Sequence, residues 1–180
     1  MKLTHLDKVL NEFADYAVES AQLELGTTRK LGGKKVRRVA SGELQRSLFH
    51  KTFTRKGKKT IGFGAKGTAG DYAAFIHEGV NGTLKNNGAP FSFKKKNLAR
   101  GVVAKWMKVK RIRPKDKNGK FLKMTPANMK SAAFMIGRSI AQNGIVGLPF
   151  MKLGVERSLR KYDKKILEAL GKDAFDNLTT

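Results

Sequence analysis

The chain has 180 residues, no cysteine, and a formal net charge of +24 from 38 Lys and Arg against 14 Asp and Glu. Without cysteine it can form no disulfide and offers no thiolate, and no apolar run is long enough to span a membrane. The length fits one domain with a real core. The first residues, MKLTHLDKVLNEF, lack the apolar segment of a secretion signal, so we expect synthesis in a cytosol.

The positive charge is concentrated in the middle of the chain. Residues 26–151 hold 29 basic and four acidic residues, whereas residues 1–25 hold two basic and five acidic ones. Such a field attracts polyanions, of which nucleic acid is the first candidate. The alternatives are a merely solvated surface or a basic face that docks on an acidic protein. No recognition motif supports readout of a specific base sequence.

The N-terminal segment predicts a helix followed by a basic loop. Apolar residues recur at helical spacing over residues 5–24, with Thr4 as the expected N-cap and Gly26 as the stop. Residues 27–42 contain several glycines and read as an exposed loop. The candidate contacts for DNA or an acidic partner in that loop are Arg29, Lys30, Lys34, Lys35, Arg37 and Arg38.

A hairpin and a short helix follow. Residues 43–48 predict a helical turn, and residues 49–54 and 59–64 predict two strands joined by a four-residue connection containing a glycine. Asp71 is the expected N-cap of a short apolar helix that ends at Gly79.

The basic middle predicts a helix over residues 97–107, with Leu98, Val102 and Trp106 on its inner face. The next stretch, residues 108–124, is strongly basic and includes a predicted hairpin turn at residues 117–120 between two short strands. Further candidate polyanion contacts there are Lys108, Lys110, Arg111 and Arg113.

Two helices complete the chain. Thr125 and Pro126 open the first, with threonine as N-cap and proline in the first turn, and Gly144 ends it. The second is expected over residues 152–170. Its predicted inward-facing residues are Val155, Leu159, Tyr162, Ile166 and Leu170.

These elements predict an α+β fold: a small antiparallel β-sheet packed against N- and C-terminal helices, with a basic, largely helical insertion. We expect one domain over residues 1–180. Residues 5–84 would form its helix and hairpin core, residues 85–144 the insertion, and residues 145–180 a helix returning to the core.

The sequence offers little support for catalysis or cofactor binding. Gly62-x-Gly64-x-x-Gly67 matches a dinucleotide fingerprint, but that motif requires a parallel βαβ unit, whereas the preceding strand here belongs to a hairpin. His77-Glu78 lacks a second metal ligand one turn later. We therefore predict no enzyme, metal or cofactor, and we expect Trp106 to anchor the core rather than stack on a base.

Four short segments resemble, in the same order, a family of tailed-phage head–tail joining proteins. Ser41-Gly42-x-Leu44-x-x-Ser47-Leu48 precedes the hairpin, and Ile61-Gly62-Phe63-Gly64 ends it. The segment Tyr72-Ala73-x-Phe75-Ile76-His77-Glu78-Gly79, followed by Asn81-Gly82-Thr83, resembles a YA-x-hydrophobic-hydrophobic-x-E-x-GT signature. Ile136-Gly137-Arg138-Ser139-Ile140-Ala141-x-x-Gly144, followed by Pro149-Phe150-Met151, resembles the segment that leads into the last helix. The resemblance spans about residues 5–170.

The resemblance implies a non-enzymatic virion protein of the neck, tail-completion or tail-terminator kind. Such proteins assemble as rings, commonly hexamers, between the portal complex with its adaptor and stopper proteins and the tail tube, and DNA passes through the ring. It implies assembly in the host cytoplasm, residence in the virion and no membrane. The residues it suggests for subunit or partner contacts are Tyr72, Phe75, Glu78, Gly79, Thr83 and Phe150.

The sequence departs from the family pattern in two respects, and two alternative functions remain open. In many family members the Gly-Thr pair follows closely behind the Glu, whereas here Gly82-Thr83 is separated from Glu78 by Gly79-Val80-Asn81. The basic segment 85–124 is also longer than in the smallest members. One rival function is a stand-alone basic protein that binds nucleic acid. The other is an enzyme using His77 and Glu78, which no sequence feature demands.

Overall fold

In a computed structural model, residues 3–31, 33–36, 41–55 and 58–179 are described. The helices are α1 (Thr4–Gly26), α2 (Glu43–Ser47), α3 (Thr68–Glu78), α4 (Arg100–Val109), α5 (Pro126–Asn143) and α6 (Phe150–Leu178). The strands are β1 (Arg29–Leu31), β2 (Lys34–Val36), β3 (Leu48–Arg55), β4 (Lys58–Ala65), β5 (Gly79–Val80) and β6 (Ile145–Val146). The mixture confirms the predicted α+β class.

The two terminal helices, α1 and α6, pack against each other along their lengths. The contact is close because small residues face each other across it: a Cβ built on Gly154 of α6 would lie 2.5 Å from the Ala17 carbonyl oxygen of α1 and 2.9 Å from the Ala21 nitrogen. Ser158 lies one turn beyond Gly154 and is fully buried. Near the middle of both helices, Phe13 and Tyr162 meet edge to face at 6.4 Å.

The start of α1 is held by the far end of α6. The Asp173 carboxylate accepts hydrogen bonds from the backbone N–H groups of His5 (2.9 Å) and Leu6 (2.8 Å). These are N–H groups of the first helical turn, which have no partner inside the helix. The prediction that Thr4 is the N-cap is therefore wrong: Leu3 occupies that position without a side-chain bond, and a carboxylate distant in sequence supplies the cap.

A buried carboxylate ties three segments together near the other end of α1. Glu24 is 2% exposed. It accepts a hydrogen bond at 2.6 Å from Arg157 of α6 and is also paired with Arg29 of β1. A buried charge needs such partners, so this pair of guanidinium groups links the α1–α6 contact to the β1–β2 hairpin.

The strands form three separate two-stranded antiparallel sheets rather than the single sheet that was predicted. The largest is the β3–β4 hairpin, in register from Leu48 opposite Ala65 to Arg55 opposite Lys58. One of its faces covers α1, where His50 lies 2.9 Å from Asp15 and Lys59 pairs with Asp7. The segment predicted as a basic loop over residues 27–42 contains the β1–β2 pair.

A second, smaller core lies between α4 and α5. It is formed by Val103 and Met107 of α4 with Met129 and Ala133 of α5. The N-terminal signal of α5 is confirmed: the Thr125 hydroxyl accepts a hydrogen bond from the Asn128 N–H at 3.2 Å, and proline begins the helix. The predicted basic insertion therefore has an apolar core of its own.

Several predicted boundaries differ from the structure. The last helix runs from Phe150 to Leu178 instead of residues 152–170. Asp71 is not the N-cap of α3, which begins three residues earlier after Gly67, a residue with φ of +61°. The turn at residues 117–120 is present, with Gly119 at φ +81°, but a single bridge between Lys115 and Phe121 stands where two strands were expected.

We expect Gly154→Ala to lower the free energy of unfolding by about 1–3 kcal/mol, because the added methyl group overpacks the α1–α6 contact. Gly171→Ala in the same helix is the matched control, since a Cβ there meets nothing within 4 Å. That variant should be about 0.5–1 kcal/mol more stable than the wild type. Urea unfolding followed by circular dichroism measures both, and equal effects at the two sites would contradict the close contact.

The Asp173 cap predicts a dependence of stability on pH. Burial by itself raises the pKa of this carboxyl, but the hydrogen bonds from Leu6 and His5 and the charge of His5 outweigh burial and leave the pKa below its ordinary value of 3.8. A lowered pKa contributes stability that is complete above the ordinary value and is lost as the pH falls below it.

In thermal unfolding between pH 2.5 and 7, the midpoint temperature of the wild type should therefore exceed that of Asp173→Asn at neutral pH. The difference between the two midpoints should shrink as the pH falls. The exposed Glu168→Gln on the same helix serves as the control and should run parallel to the wild type. A difference in midpoint temperature that stayed constant across this pH range would show that the charged Asp173 carboxylate does not stabilise the start of α1.

Candidate interaction surfaces

The two most specific pieces of the phage-like pattern meet in the structure. Gly79 of β5 pairs with Val146 of β6, and the Leu148 N–H donates to the Ile76 carbonyl at 2.9 Å. Gly79 has φ of +87°, and a Cβ there would lie 2.5 Å from the Gly147 nitrogen. Only glycine accommodates both the backbone conformation and the close approach.

The loop after β5 is built around Asn81. Its side-chain oxygen accepts hydrogen bonds from the backbone N–H groups of Asn87 (2.7 Å) and Ala89 (3.1 Å), and its amide nitrogen donates to the Ala89 carbonyl at 2.6 Å. Asn87 in turn donates to the Asn143 carbonyl at the end of α5 (2.8 Å). The sequence pattern placed Asn81 in the phage-like signature without assigning it this role, although an Asn-Gly pair is a known turn signal.

Two glycines of the apparent dinucleotide fingerprint, Gly62 and Gly64, lie against aromatic rings. Gly64 lies opposite Phe49 in the hairpin, and Cβ atoms built on Gly62 and Gly64 would meet the rings of Phe53 and Phe49 at 3.1 Å. The face they form points away from α1, with Phe53 about half exposed. The prediction that these glycines belong to a sheet and not to a phosphate loop agrees with this arrangement.

His77 and Glu78 lie close to each other at the end of α3, with His77 against an aromatic ring. The His77 ring packs edge to face on Phe150 at a centroid distance of 5.0 Å, and its Nε2 lies 3.7 Å from a Glu78 carboxylate oxygen. Burial lowers the pKa of His77, and the charge of Glu78 opposes that shift in part. Across the described residues no group of three His, Cys, Asp or Glu side chains is placed to hold a metal ion.

The six residues suggested for subunit contacts differ in accessibility. Phe75 and Glu78 are exposed, and the Phe75 ring meets Phe91 edge to face at 4.6 Å. Tyr72 packs against the main core, where burial is the main cause that raises the pKa of its hydroxyl. Gly79 is buried. Thr83 is half-buried, and its N–H donates to the Ala141 carbonyl at 2.9 Å.

Phe150 differs most from that suggestion. It is 3% exposed and belongs to the main core with Leu148 and Leu25. Its side chain is therefore covered by its own chain and offers no surface to a second copy. The aromatic residue at this position of the motif is therefore accounted for by its packing in the core of its own chain.

The basic residues expected to contact a polyanion also differ in accessibility. Arg29 is held by Glu24, while Lys30 and Lys35 are exposed. Arg37 and Arg38 and the side chain of Lys34 lie outside the described residues. In the second set, Lys108, Arg111 and Arg113 are exposed and Lys110 is half-buried.

The segment 85–144 has almost no acidic residues to balance its positive charge. It contains sixteen Lys and Arg and one acidic residue, Asp116. The Asp116 carboxylate is engaged in the turn that follows it, where it accepts the N–H groups of Asn118 and Lys120, both at 2.9 Å. The guanidinium of Arg113 lies 4.9 Å over the Phe121 ring. The positive charge of this segment therefore faces solvent largely unneutralised.

A groove of about 380 Å³ lies between residues 112–122 and α5. Its walls are apolar, from Ile112, Leu122 and Ile136, and Arg113 and Lys115 also line it. No carboxylate or histidine lines it, so the groove lacks a group that would act as a general acid or base near neutral pH.

Trp106 does not anchor the core as predicted. In α4 the buried residues are Val103 and Met107, one position away from the predicted inner face. Val102, Trp106 and Val109 instead form an exposed stripe, which we call the α4 stripe; Trp106 is 37% exposed and Val102 67%. Both faces of α4 carry apolar side chains at helical spacing, so periodicity alone could not decide between them.

Helix α6 has a second apolar face of the same kind. Leu159 and Leu170, predicted to face inward, are exposed. They belong to a row at spacings of four and three residues, which we call the α6 seam: Leu159, Asp163, Leu167, Leu170, Ala174 and Leu178. The buried face of this helix is made mostly of small or polar residues, including Gly154, Ser158, Ala169 and Asp173, which a search for large apolar residues overlooks.

Comparison with known protein families, with curated proteins and with solved structures finds no match to this chain. No helix within the described residues is long and apolar enough to cross a membrane.

We expect Asn81→Ala to loosen the loop over residues 84–93, because three backbone groups lose their side-chain partner. Amide hydrogen exchange of this loop should accelerate about tenfold or more, while exchange in α1 and α6 stays unchanged. Asn86→Ala in the same loop is the control, since the Asn86 side chain accepts one hydrogen bond, from Gly88 (2.8 Å). Equal acceleration by both variants would show that Asn81 does not organise the loop.

Proposed function

We propose that this chain is a structural protein of a tailed-phage virion. It forms a ring in the neck that completes the tail and joins it to the portal complex around the DNA channel. Its partners would be further copies of itself, the portal, adaptor or stopper proteins, and the tail tube. It performs no catalysis in this role.

The observation that carries the proposal is the convergence of the signature segments. The segment that ends in Glu78-Gly79 and the segment that leads into Phe150 are about seventy residues apart, yet they pair through β5 and β6. A coincidental resemblance in scattered short motifs would not require them to fold into one unit. Their junction carries exposed residues, Phe75 and Glu78, beside the loop built on Asn81.

The surfaces of the chain also support a role in assembly. Among the described strands, none pairs with either edge of the β3–β4 hairpin, and such edges pair readily with another chain. The α4 stripe and the α6 seam leave large apolar side chains in water, which commonly marks an interaction site. A head-to-tail contact between copies closes into a ring when its rotation allows.

A phage carrying this gene with an early stop codon tests the proposal. We expect filled heads and separate tails, or tails of abnormal length, in place of complete virions, because the junction lacks its ring. Supplying the intact gene in trans should restore virions, and supplying a version with Gly79→Val should not, since the β5–β6 junction cannot form. Normal virions from the stopped gene would reject the proposal.

The alternative function is binding of nucleic acid by the free protein, which the unneutralised charge of residues 85–144 favours. In that case affinity for duplex DNA should fall steeply with salt, with a slope that reflects many phosphate contacts. Replacing Lys108, Arg111 and Arg113 by glutamine should flatten the slope by about two to three units. The same changes at Lys161, Lys164 and Lys165 of α6 provide a matched control.

A further inference from the structure

The β3–β4 hairpin has an outer face, turned away from α1, on which aromatic and basic side chains alternate. Successive side chains of a strand point to opposite faces of the sheet, and His50 points to α1, where it meets Asp15. The side chains of the outer face are therefore Phe49, Lys51, Phe53 and Arg55 of β3 and, directly opposite Arg55, Lys58 of β4. Phe49 is half-buried and the other four are exposed.

Glycines support the two rings of the outer face. A Cβ built on Gly62 would lie 3.1 Å from the Phe53 ring, and one on Gly64 would lie 3.1 Å from the Phe49 ring. Both rings therefore lean across the hairpin onto a stretch of β4 that has no side chain to cover them. Phe53 is 49% exposed, and neither ring belongs to an apolar core of the described residues.

Ammonium groups stand beside both rings. The Lys51 Nζ lies 5.3 Å from the centroid of the Phe53 ring, and the Lys66 Nζ lies 5.5 Å from that of Phe49. These distances are within reach of a cation–π contact. Each ring thus has a positive charge next to its accessible surface.

The hairpin itself has no acidic residue to balance these charges. Residues 48–66 contain six Lys and Arg and no Asp or Glu. Two carboxylates of α1 meet the hairpin on its inner face, where Asp7 pairs with Lys59 and Asp15 with His50. Just beyond Lys66, the Glu43 carboxylate accepts the Thr68 hydroxyl at 2.6 Å. The outer face is therefore complementary to a polyanion.

We infer that the outer face of the hairpin binds a single strand of DNA or RNA, with bases stacked on Phe49 and Phe53 and phosphates held by the surrounding Lys and Arg. Aromatic side chains on a basic surface are how proteins bind single strands without sequence preference. The two rings are about 14 Å apart along β3, which about four nucleotides span at the 3.4 Å spacing of a stacked strand.

This inference goes beyond the proposed function, in which the DNA that passes through the ring is a duplex. It also differs from binding of nucleic acid through residues 85–144. An unneutralised positive charge attracts duplexes and single strands alike, whereas an aromatic ring requires the exposed face of an unpaired base. The form of the nucleic acid therefore separates the two surfaces.

The stacking is tested with the full-length chain and labelled oligo(dT) and oligo(U) of about twelve nucleotides, followed by fluorescence anisotropy. Phe53→Leu should raise the dissociation constant about fivefold or more, because leucine keeps an apolar contact with Gly62 but offers no ring to a base. Phe53→Trp should keep the wild-type affinity or improve it. Phe175→Leu is the control, since Phe175 is an exposed ring on α6, and it should change nothing.

The phosphate contacts are tested by the salt dependence of the same binding. Replacing Lys51, Arg55 and Lys58 together by glutamine should flatten the slope of log affinity against log salt by about two units, because each phosphate contact of a single strand contributes about 0.7. The same three changes at Lys161, Lys164 and Lys165 of α6 form the control and should leave the slope as it is.

The opposite results would overturn the inference. They are wild-type affinity in Phe53→Leu, equal losses in Phe53→Leu and Phe175→Leu, or a duplex of the same length that binds as tightly as the single strand. A chain that binds neither oligonucleotide would also overturn it and would leave the neck ring, which is scored in virions, unaffected. The expected losses in a protein absent from the virion neck would support the inference and reject the proposed function.

Discussion

The close contact between α1 and α6 is the constraint on which the rest of the structure depends. Two helix backbones can come this close only where the side chains between them are small. Here Gly154 of α6 lies against the backbone of α1 at Ala17 and Ala21. Two polar links depend on the same approach: Asp173 reaches the first turn of α1, and Arg157 reaches the buried Glu24. The β3–β4 hairpin then lies across α1, and the start of α6 connects to β5 and β6.

This scaffold leaves large apolar side chains of α4 and α6 exposed to solvent. The apolar side chains of α4 and α6 that point away from the cores lie on helices that are already fixed by packing on their other sides. The loop on Asn81 is likewise held by hydrogen bonds from the Asn81 side chain to its backbone. A protein that works by fitting between neighbours needs such prepared surfaces, because little ordering entropy is then lost on assembly.

Much of the fold was predictable from the sequence because local signals were strong. Thr125, Pro126 and Gly144 bound α5 as expected, and the hairpin follows from two alternating runs around a short connection. Errors arose where distant residues decide the outcome. The cap of α1 comes from Asp173, and much of the inner face of α6 consists of small residues and that carboxylate, which hydrophobic periodicity does not register.

The candidate site was predictable only in part, for a related reason. The signature glycines mark a junction because Gly79 combines a positive φ with a close backbone approach. The same pattern could not show that Phe150 points into its own core, or that Trp106 points out. Where a helix is apolar on two sides, the choice of inner face depends on which partner helix fits, and that information lies in the tertiary structure.

The central claim, that this chain is a ring of the neck, is tested most directly by electron cryomicroscopy of the virion that contains it. The account predicts a closed ring of identical subunits between portal and tail, each subunit showing the paired α1 and α6 helices and the β3–β4 hairpin. A neck whose density is fully explained by other proteins, with this chain absent from the particle, would contradict it.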